Sequence, residues 1–282
     1  MKVLNVVTLN IVTLLVLAWA SCQFAYAQDS KQYVRYEDGG TISWGELKGD
    51  SISQLSDAPF LGGAATGKTV KRSEVKLKAP GDPRHMFGTA WNFRSHLGNR
   101  EPSKYPTVFL VPGNTLVGPE DPIIRHPETT RLAYEAEMAV MIGKRAENVS
   151  VEDASDYIFG VTAGNDVTDR AWQGADNDWV RAKGARGFNA IGPVLVTGLD
   201  YGNLSIAGRL NGEEVQQGNT SDLLFNMDQM VSWISHYFTL EPGDMVWTGT
   251  MGSPRFLEPG DTFEVEVQGV GILKNKVVQG KK

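Results

Sequence analysis

Tyr134-Glu135-Ala136-Glu137-Met138-Ala139-Val140-Met141-Ile142 is an almost wholly apolar run broken by two carboxylates. Read as a strand, it puts Glu135 and Glu137 on one face, roughly 7 Å apart from the rise per residue. Two carboxylates aimed together from such a strand repel one another and lose hydration, so the pair calls for a cation beside it. The competing reading is an edge strand that turns both acids to solvent, the common fate of charged residues. Spacing alone leaves the two open. Further along, Phe159-Gly160-Val161-Thr162-Ala163-Gly164 reads as a Gly-rich strand running into Asn165-Asp166, a third carboxylate at a strand end. Three carboxylates with open coordination positions suit Mg²⁺ or Mn²⁺ better than Zn²⁺, which prefers imidazole or thiolate.

Around this segment the composition is that of a turn-rich, strand-rich globule. The 282 residues are 41% apolar and 21% charged, with 31 Gly and 13 Pro. The formal charge is -6 and no cluster of Lys and Arg stands out, which argues against nucleic acid or an anionic membrane surface as partner. Residues 1–27 read as a secretory signal peptide: Lys2, an apolar heart from Ile11 to Ala20, and a small-residue cleavage site at Ala25-Tyr26-Ala27. Cleavage after Ala27 removes the only cysteine, Cys22, so the mature protein has neither disulfide nor thiolate chemistry, which points to a bacterial periplasm. A lipoprotein anchor at Cys22 is the alternative.

Residues 28–75 read as a small N-terminal β domain and linker. Strands flank turns at Asp38-Gly39-Gly40 and Lys48-Gly49-Asp50, and a loop is expected over 57–70. Gly62 to Thr69 fits the phosphate-loop pattern letter for letter, yet a turn precedes it and the alternating 70–77 follows, so the strand and helix that such a loop needs are lacking. Residues 76–282 form the main domain. Pro-Gly-Asp turns at 242–244 and 259–261 launch strands, and Asn211-Gly212 predicts a hairpin. Helices are expected from the capping pattern at Ser150 and Asp153 to about Tyr157, and over Asp222 to Phe238 from its apolar stripe.

The order of Tyr134-Glu135-Ala136-Glu137, Asn165-Asp166-Val167 with Arg170 and Gln173, Lys183-Gly184, Gly192-Pro193, Asn211-Gly212-Glu213, Thr248-Gly249-Thr250 and Pro259-Gly260-Asp261 closely resembles the fumarylacetoacetate hydrolase family. The resemblance spans nearly all of residues 76–278. It implies an α+β, mainly β fold, a mixed β-sandwich roll with a small N-terminal β domain, usually in a homodimer. It also implies that Glu135, Glu137 and Asp166 ligate Mg²⁺ or Mn²⁺, and that the substrate is a small 2-oxo acid or 1,3-dicarbonyl compound reacting through an enolate.

By the same resemblance Lys183 supplies positive charge at the developing oxyanion, and His96, in Asn92-Phe93-Arg94-Ser95-His96, is a general base. Arg170, Gln173 and Thr250 are expected to bind substrate. The sequence departs from the family where a Glu often follows this His by three residues: Asn99 stands there, and the nearest acid, Glu101, is the catalytic candidate that would have to swing in to activate water. An Asn cannot charge-stabilise an imidazolium as a carboxylate can. Val111 stands where relatives often carry Lys, and Arg186 departs from an acidic pattern and is read as a replacement carboxylate clamp. Hydrolysis of a C-C bond is the first expectation. A hydratase, decarboxylase or tautomerase is the second, and an exported keto-acid binding protein the third.

Overall fold

The structure, a computed structural model, describes residues 30–281. The signal peptide, its cleavage site and Cys22 lie outside the described residues. The chain is mainly β with short helices, and its strands form a 12-stranded and a 5-stranded sheet plus a two-stranded ladder.

The run that opened the sequence reading is central, not an edge. Ala136–Ile142 pairs antiparallel with Ile158–Asp166 on one side and with Met245–Trp247 on the other, and all of its residues are buried. Strand alternation divides it: Ala136, Met138, Val140 and Ile142 enter the main core, whereas Ala139 and Met141 pack with Met86, Ile191, Met245 and Trp247 in a second cluster. Beyond these neighbours the long sheet continues through Asn189–Thr197 at one end and through His85–Ala90 to Thr107–Pro112 at the other. His85–Ala90 joins Met245–Trp247 in parallel, which makes the sheet mixed.

The smaller sheet runs Glu213–Asn219, Ser205–Leu210, Thr262–Val267, Gly271–Gln279 and Ile123–Arg125. It lays Ile206, Phe263, Val265, Leu273 and Val277 into the main core, so the two sheets bury one another's apolar faces. Asn211 and Gly212 close the expected hairpin with φ of 53° and 87°, the left-handed conformation that a tight two-residue turn requires.

Residues 31–71 make a meander of Lys31–Asp38, Thr41–Lys48, Ser51–Leu55 and Ala65–Lys71. Its first strand pairs antiparallel with Asn189–Thr197 and so extends the long sheet. The loop expected over 57–70 is only half right, because Ala65–Lys71 is an exposed edge strand against Ser51–Leu55, its Thr and Lys residues suiting a sheet edge. The strand-like alternation after it breaks at the 3₁₀ turn Arg72–Glu74, where the Asp50 carboxylate accepts from the Ser73 N–H at 3.0 Å.

Two helix expectations are corrected. The helix drawn from Asp222 begins at Met227 and ends at Ser235, because Asn226 and Gln229 form a reciprocal capping box with both bonds at 2.9 Å. The segment after Ser150 opens only a 3₁₀ turn, Ala154–Tyr157. Ser150 does accept from the Asp153 N–H at 3.2 Å, but the shorter Asp side chain turns to the Ser150 hydroxyl at 2.9 Å and not to its backbone.

Gly164 sits across the ladder from Glu137, where an added Cβ would stand 2.4 Å from Cζ3 of the buried Trp247. Gly164→Ala is expected to destabilise the fold by about 1–3 kcal/mol through overpacking, read as a lower urea midpoint. An unchanged midpoint would show that the ring gives way freely.

Candidate active site

Strand pairing assembles the carboxylates. Glu135 lies next to Asp166 across the ladder, the Asp166 N–H donating to the Glu135 carbonyl at 3.0 Å, and Asn165 Oδ1 accepts from the Glu135 N–H at 2.9 Å. Glu137 is two residues further on, so the pleat sends all three side chains to one face. Oxygens of Glu135, Glu137 and Asp166 lie within 4.8 Å of one another, and all three residues are buried.

The donors around them are unevenly shared. Glu137 Oε2 accepts from the Gly249 N–H at 2.8 Å, and Asp166 Oδ2 accepts from Lys183 Nζ at 2.5 Å. Glu135 takes Lys183 on one oxygen and Arg170 on the other. Glu137 Oε1 and Asp166 Oδ1 are buried with no hydrogen-bond partner. Buried carboxylate oxygens without a donor are costly, and a hard cation is the group that satisfies them. The residues therefore fit the implied ion, and an all-oxygen set suits Mg²⁺ or Mn²⁺.

The electrostatics agree. Burial pushes Glu137 well above the ordinary carboxylate range, and Asp166 and Glu135 beside it add to the rise. Burial also raises Asp166, to about 6, with Lys183 opposing and Glu135 reinforcing the shift. At Glu135 burial is outweighed by Lys183 and Arg170, which hold it at about 2. Burial disfavours the Lys183 ammonium, but Asp166 and Glu135 raise its pKa above the ordinary lysine value. Because burial raises two of the acids above the ordinary carboxylate range, divalent-metal affinity should rise with pH and weaken as pH falls through about 6, where protons compete with the cation. Calorimetry in buffers of different ionisation enthalpy would show the proton release, and an affinity flat from about pH 5 to about pH 8 would contradict it.

Next to the triad opens a cavity of about 350 Å³. His96, Lys183, Glu135, Arg170, Gln173 and Thr250 all line it, so the structure brings together most of the residues that the sequence singled out. Asp169 caps the short helix Arg170–Ala175, and Arg170 Nη1 donates to Gln173 Oε1 at 2.9 Å, fixing that pair. Lys183 lies in the next helix, Val180–Gly184. Thr250 Oγ1 donates to the Ala136 carbonyl at 3.1 Å and accepts from Gln216 Nε2 at 2.9 Å. His96 Nδ1 lies 2.6 Å from the Gly252 carbonyl, which can only accept; Nδ1 therefore carries a proton, which leaves Nε2 as the ring nitrogen that can act as a base.

Glu101 and Arg186 are not brought to the cavity, and their expected roles are corrected accordingly. The turn closed by Arg100 N–H to the Leu97 carbonyl at 3.1 Å directs Arg100 to the cavity and leaves Glu101 exposed outside its lining. A turn over 185–188 buries Phe188 and leaves Arg186 exposed. Val111 packs in the second apolar cluster and does not line the cavity. The sequence reading missed Trp91, Phe109, Trp179 and Arg100, which also line the cavity. Their sequence signal was faint: Trp91 directly precedes Asn92-Phe93, and Trp179 is one helical turn before Lys183.

Residues 85–278 match the family model described as fumarylacetoacetate (FAA) hydrolase C-terminal, and residues 31–80 match the model described as Rv2993c-like, N-terminal. The chain is 35% identical over 229 residues to the mitochondrial oxaloacetate tautomerase Fahd2a of Rattus norvegicus, covering 76% of this chain and 73% of that one. Among solved structures it is similar to 5-carboxymethyl-2-hydroxymuconate delta-isomerase from Mycobacterium smegmatis, with a TM-score of 0.84 and 31% identity over 88% of this chain and 100% of that chain. It is also similar to maleylpyruvate hydrolase from Sphingobium in complex with manganese(II) ion and pyruvate, with a TM-score of 0.73 and 26% identity over 89% of this chain and 100% of that chain.

Proposed function

Because the chain belongs to the fumarylacetoacetate hydrolase family, we propose that it is a divalent-metal-dependent enzyme that interconverts the keto and enol forms of a 2-oxo acid or 1,3-dicarbonyl compound. The observation that carries the choice of proton transfer over C-C hydrolysis is His96, which has a backbone carbonyl on Nδ1 and, among the described residues, no carboxylate hydrogen-bonded to it. A base so held can take a proton from carbon and give it back, whereas hydrolysis needs in addition a group that holds and aims the attacking water beside the base. The similarity to an isomerase and a tautomerase supports the same choice.

A cation held by Glu135, Glu137 and Asp166 would supply Lewis-acid polarisation of the substrate's keto group. His96 Nε2 takes the proton from the carbon next to that keto group and delivers it to the keto oxygen, so a C–H bond breaks and an O–H bond forms as the enol is made, and the reverse steps restore the keto form. Lys183, its ammonium favoured by two carboxylates, stabilises the negative charge that develops on oxygen. Arg170 and Gln173, locked together, bind the substrate carboxylate, and Thr250 bounds the site beside them. Hydrolysis is the second reading, supported by the similarity to maleylpyruvate hydrolase, and it needs water beside His96.

The test follows the enol absorbance of oxaloacetate and of an acylpyruvate with EDTA-treated protein, before and after adding Mg²⁺ or Mn²⁺. Faster enol loss only with metal, and no cleavage products, is the expected result. Release of pyruvate and a carboxylic acid from the acylpyruvate would establish hydrolysis instead, and no change in any condition would contradict both readings.

A further inference from the structure

Three aromatic residues of the cavity lining have no part in the proton transfer. Trp91, Phe109 and Trp179 form an aromatic arm: Trp179 stands edge-on to both others, with ring centroids 5.5 Å from Trp91 and 5.3 Å from Phe109. The arm adjoins the charged end, since Lys183 Nζ lies 5.2 Å from the Phe109 ring centroid. Resting on the enolate reading above, we propose that this arm is a specificity site for a planar apolar group, aryl or conjugated, attached to the 2-oxo acid beyond its reacting carbon.

The arm is built, not incidental. Trp91 has φ of 55°, a left-handed conformation that is unfavourable for so bulky a residue and persists only where the surroundings dictate it. Asn92 does so, donating to the carbonyls of Thr248 at 2.9 Å and Phe225 at 3.0 Å and accepting from the Phe225 N–H at 2.9 Å. Phe109 faces Gly88 across the ladder, where an added Cβ would stand 2.2 Å from the Phe109 Cζ, so the glycine lets the ring lie over the strand. Arg100 places its guanidinium 4.5 Å from the Trp91 ring centroid and has no ion pair among the described residues. A cation on the ring face secures the indole in the lining.

The chemistry of the two ends then sets the substrate. Carboxylate and keto oxygens belong with Arg170, Gln173 and the triad. What lies beyond meets indole and phenyl surface, where a flat apolar group stacks and a bare carboxylate loses hydration. A cavity of about 350 Å³ also falls in the range of sites for larger ligands (about 300–1,000 Å³) and leaves room beyond a four-carbon diacid.

The experiment compares kcat/KM for tautomerisation of phenylpyruvate and oxaloacetate by the metal-loaded protein, with tryptophan fluorescence titrations of both ligands as a readout independent of turnover. Phenylpyruvate should be preferred and should quench saturably, and Trp179→Ala should lower the phenylpyruvate-to-oxaloacetate ratio about tenfold, with Trp179→Phe restoring most of it. If both substrates turn over and the ratio ignores Trp179→Ala, the arm is overturned and the enolate reading stands. If Arg100→Met cuts oxaloacetate selectively, a distal carboxylate on Arg100 is the recognised group and the proposal is overturned. If neither substrate turns over, the enolate reading fails. The arm then stands only if phenylpyruvate quenching persists and weakens in Trp179→Ala, and absence of quenching overturns it.

Discussion

Lys183→Ala is expected to lower kcat/KM about 10²–10³-fold while Mn²⁺ binds at least as tightly as in the parent protein. The ammonium is buried and touches both Glu135 and Asp166, so it plays two parts. It offers charge to a developing oxyanion, and it neutralises two of the three acids that a divalent ion would use. Removing it takes away the first and strengthens the need for the ion. Steady-state kinetics with calorimetric Mn²⁺ titration separates the parts. Loss of metal affinity alongside activity would mean that Lys183 builds the site and contributes nothing beyond it.

Glu137→Gln should have the opposite profile. The parent protein gains about 2.7 kcal/mol of stability at a metal concentration 100-fold above Kd, and the variant should lose nearly all of that gain. Metal-free, the variant should melt no lower than the parent, because burial and the neighbouring acids already disfavour the Glu137 charge. Thermal melts with and without Mn²⁺ give both readings. An undiminished metal-induced shift would remove Glu137 from the ligand set.

Much of this site was legible in the sequence, and the rest was hidden for identifiable reasons. The alternation that puts Glu135 and Glu137 on one face is local, as are the Asn211-Gly212 turn and the strand starts after Pro-Gly-Asp. Whether that strand is an edge or a centre depends on Met245–Trp247, over a hundred residues away, and no local pattern encodes it. Arg186 and Glu101 carry suitable chemistry, but a single turn decides which way each points. The helix drawn from Asp222 starts late because an apolar stripe does not mark where a helix begins, and the capping box of Asn226 and Gln229 does. The aromatic arm draws Trp91, Phe109 and Trp179 from three separated segments, so only the fold brings them together.

The central claim is that Glu135, Glu137 and Asp166 jointly hold a divalent ion beside the cavity. Anomalous diffraction from a crystal soaked in Mn²⁺ tests it most directly. A single strong peak bounded by all three carboxylates, lost in Glu137→Gln crystals, is the expected result. A crystal with no manganese peak there, Lys183 still bridging Glu135 and Asp166 at saturating Mn²⁺, would contradict it.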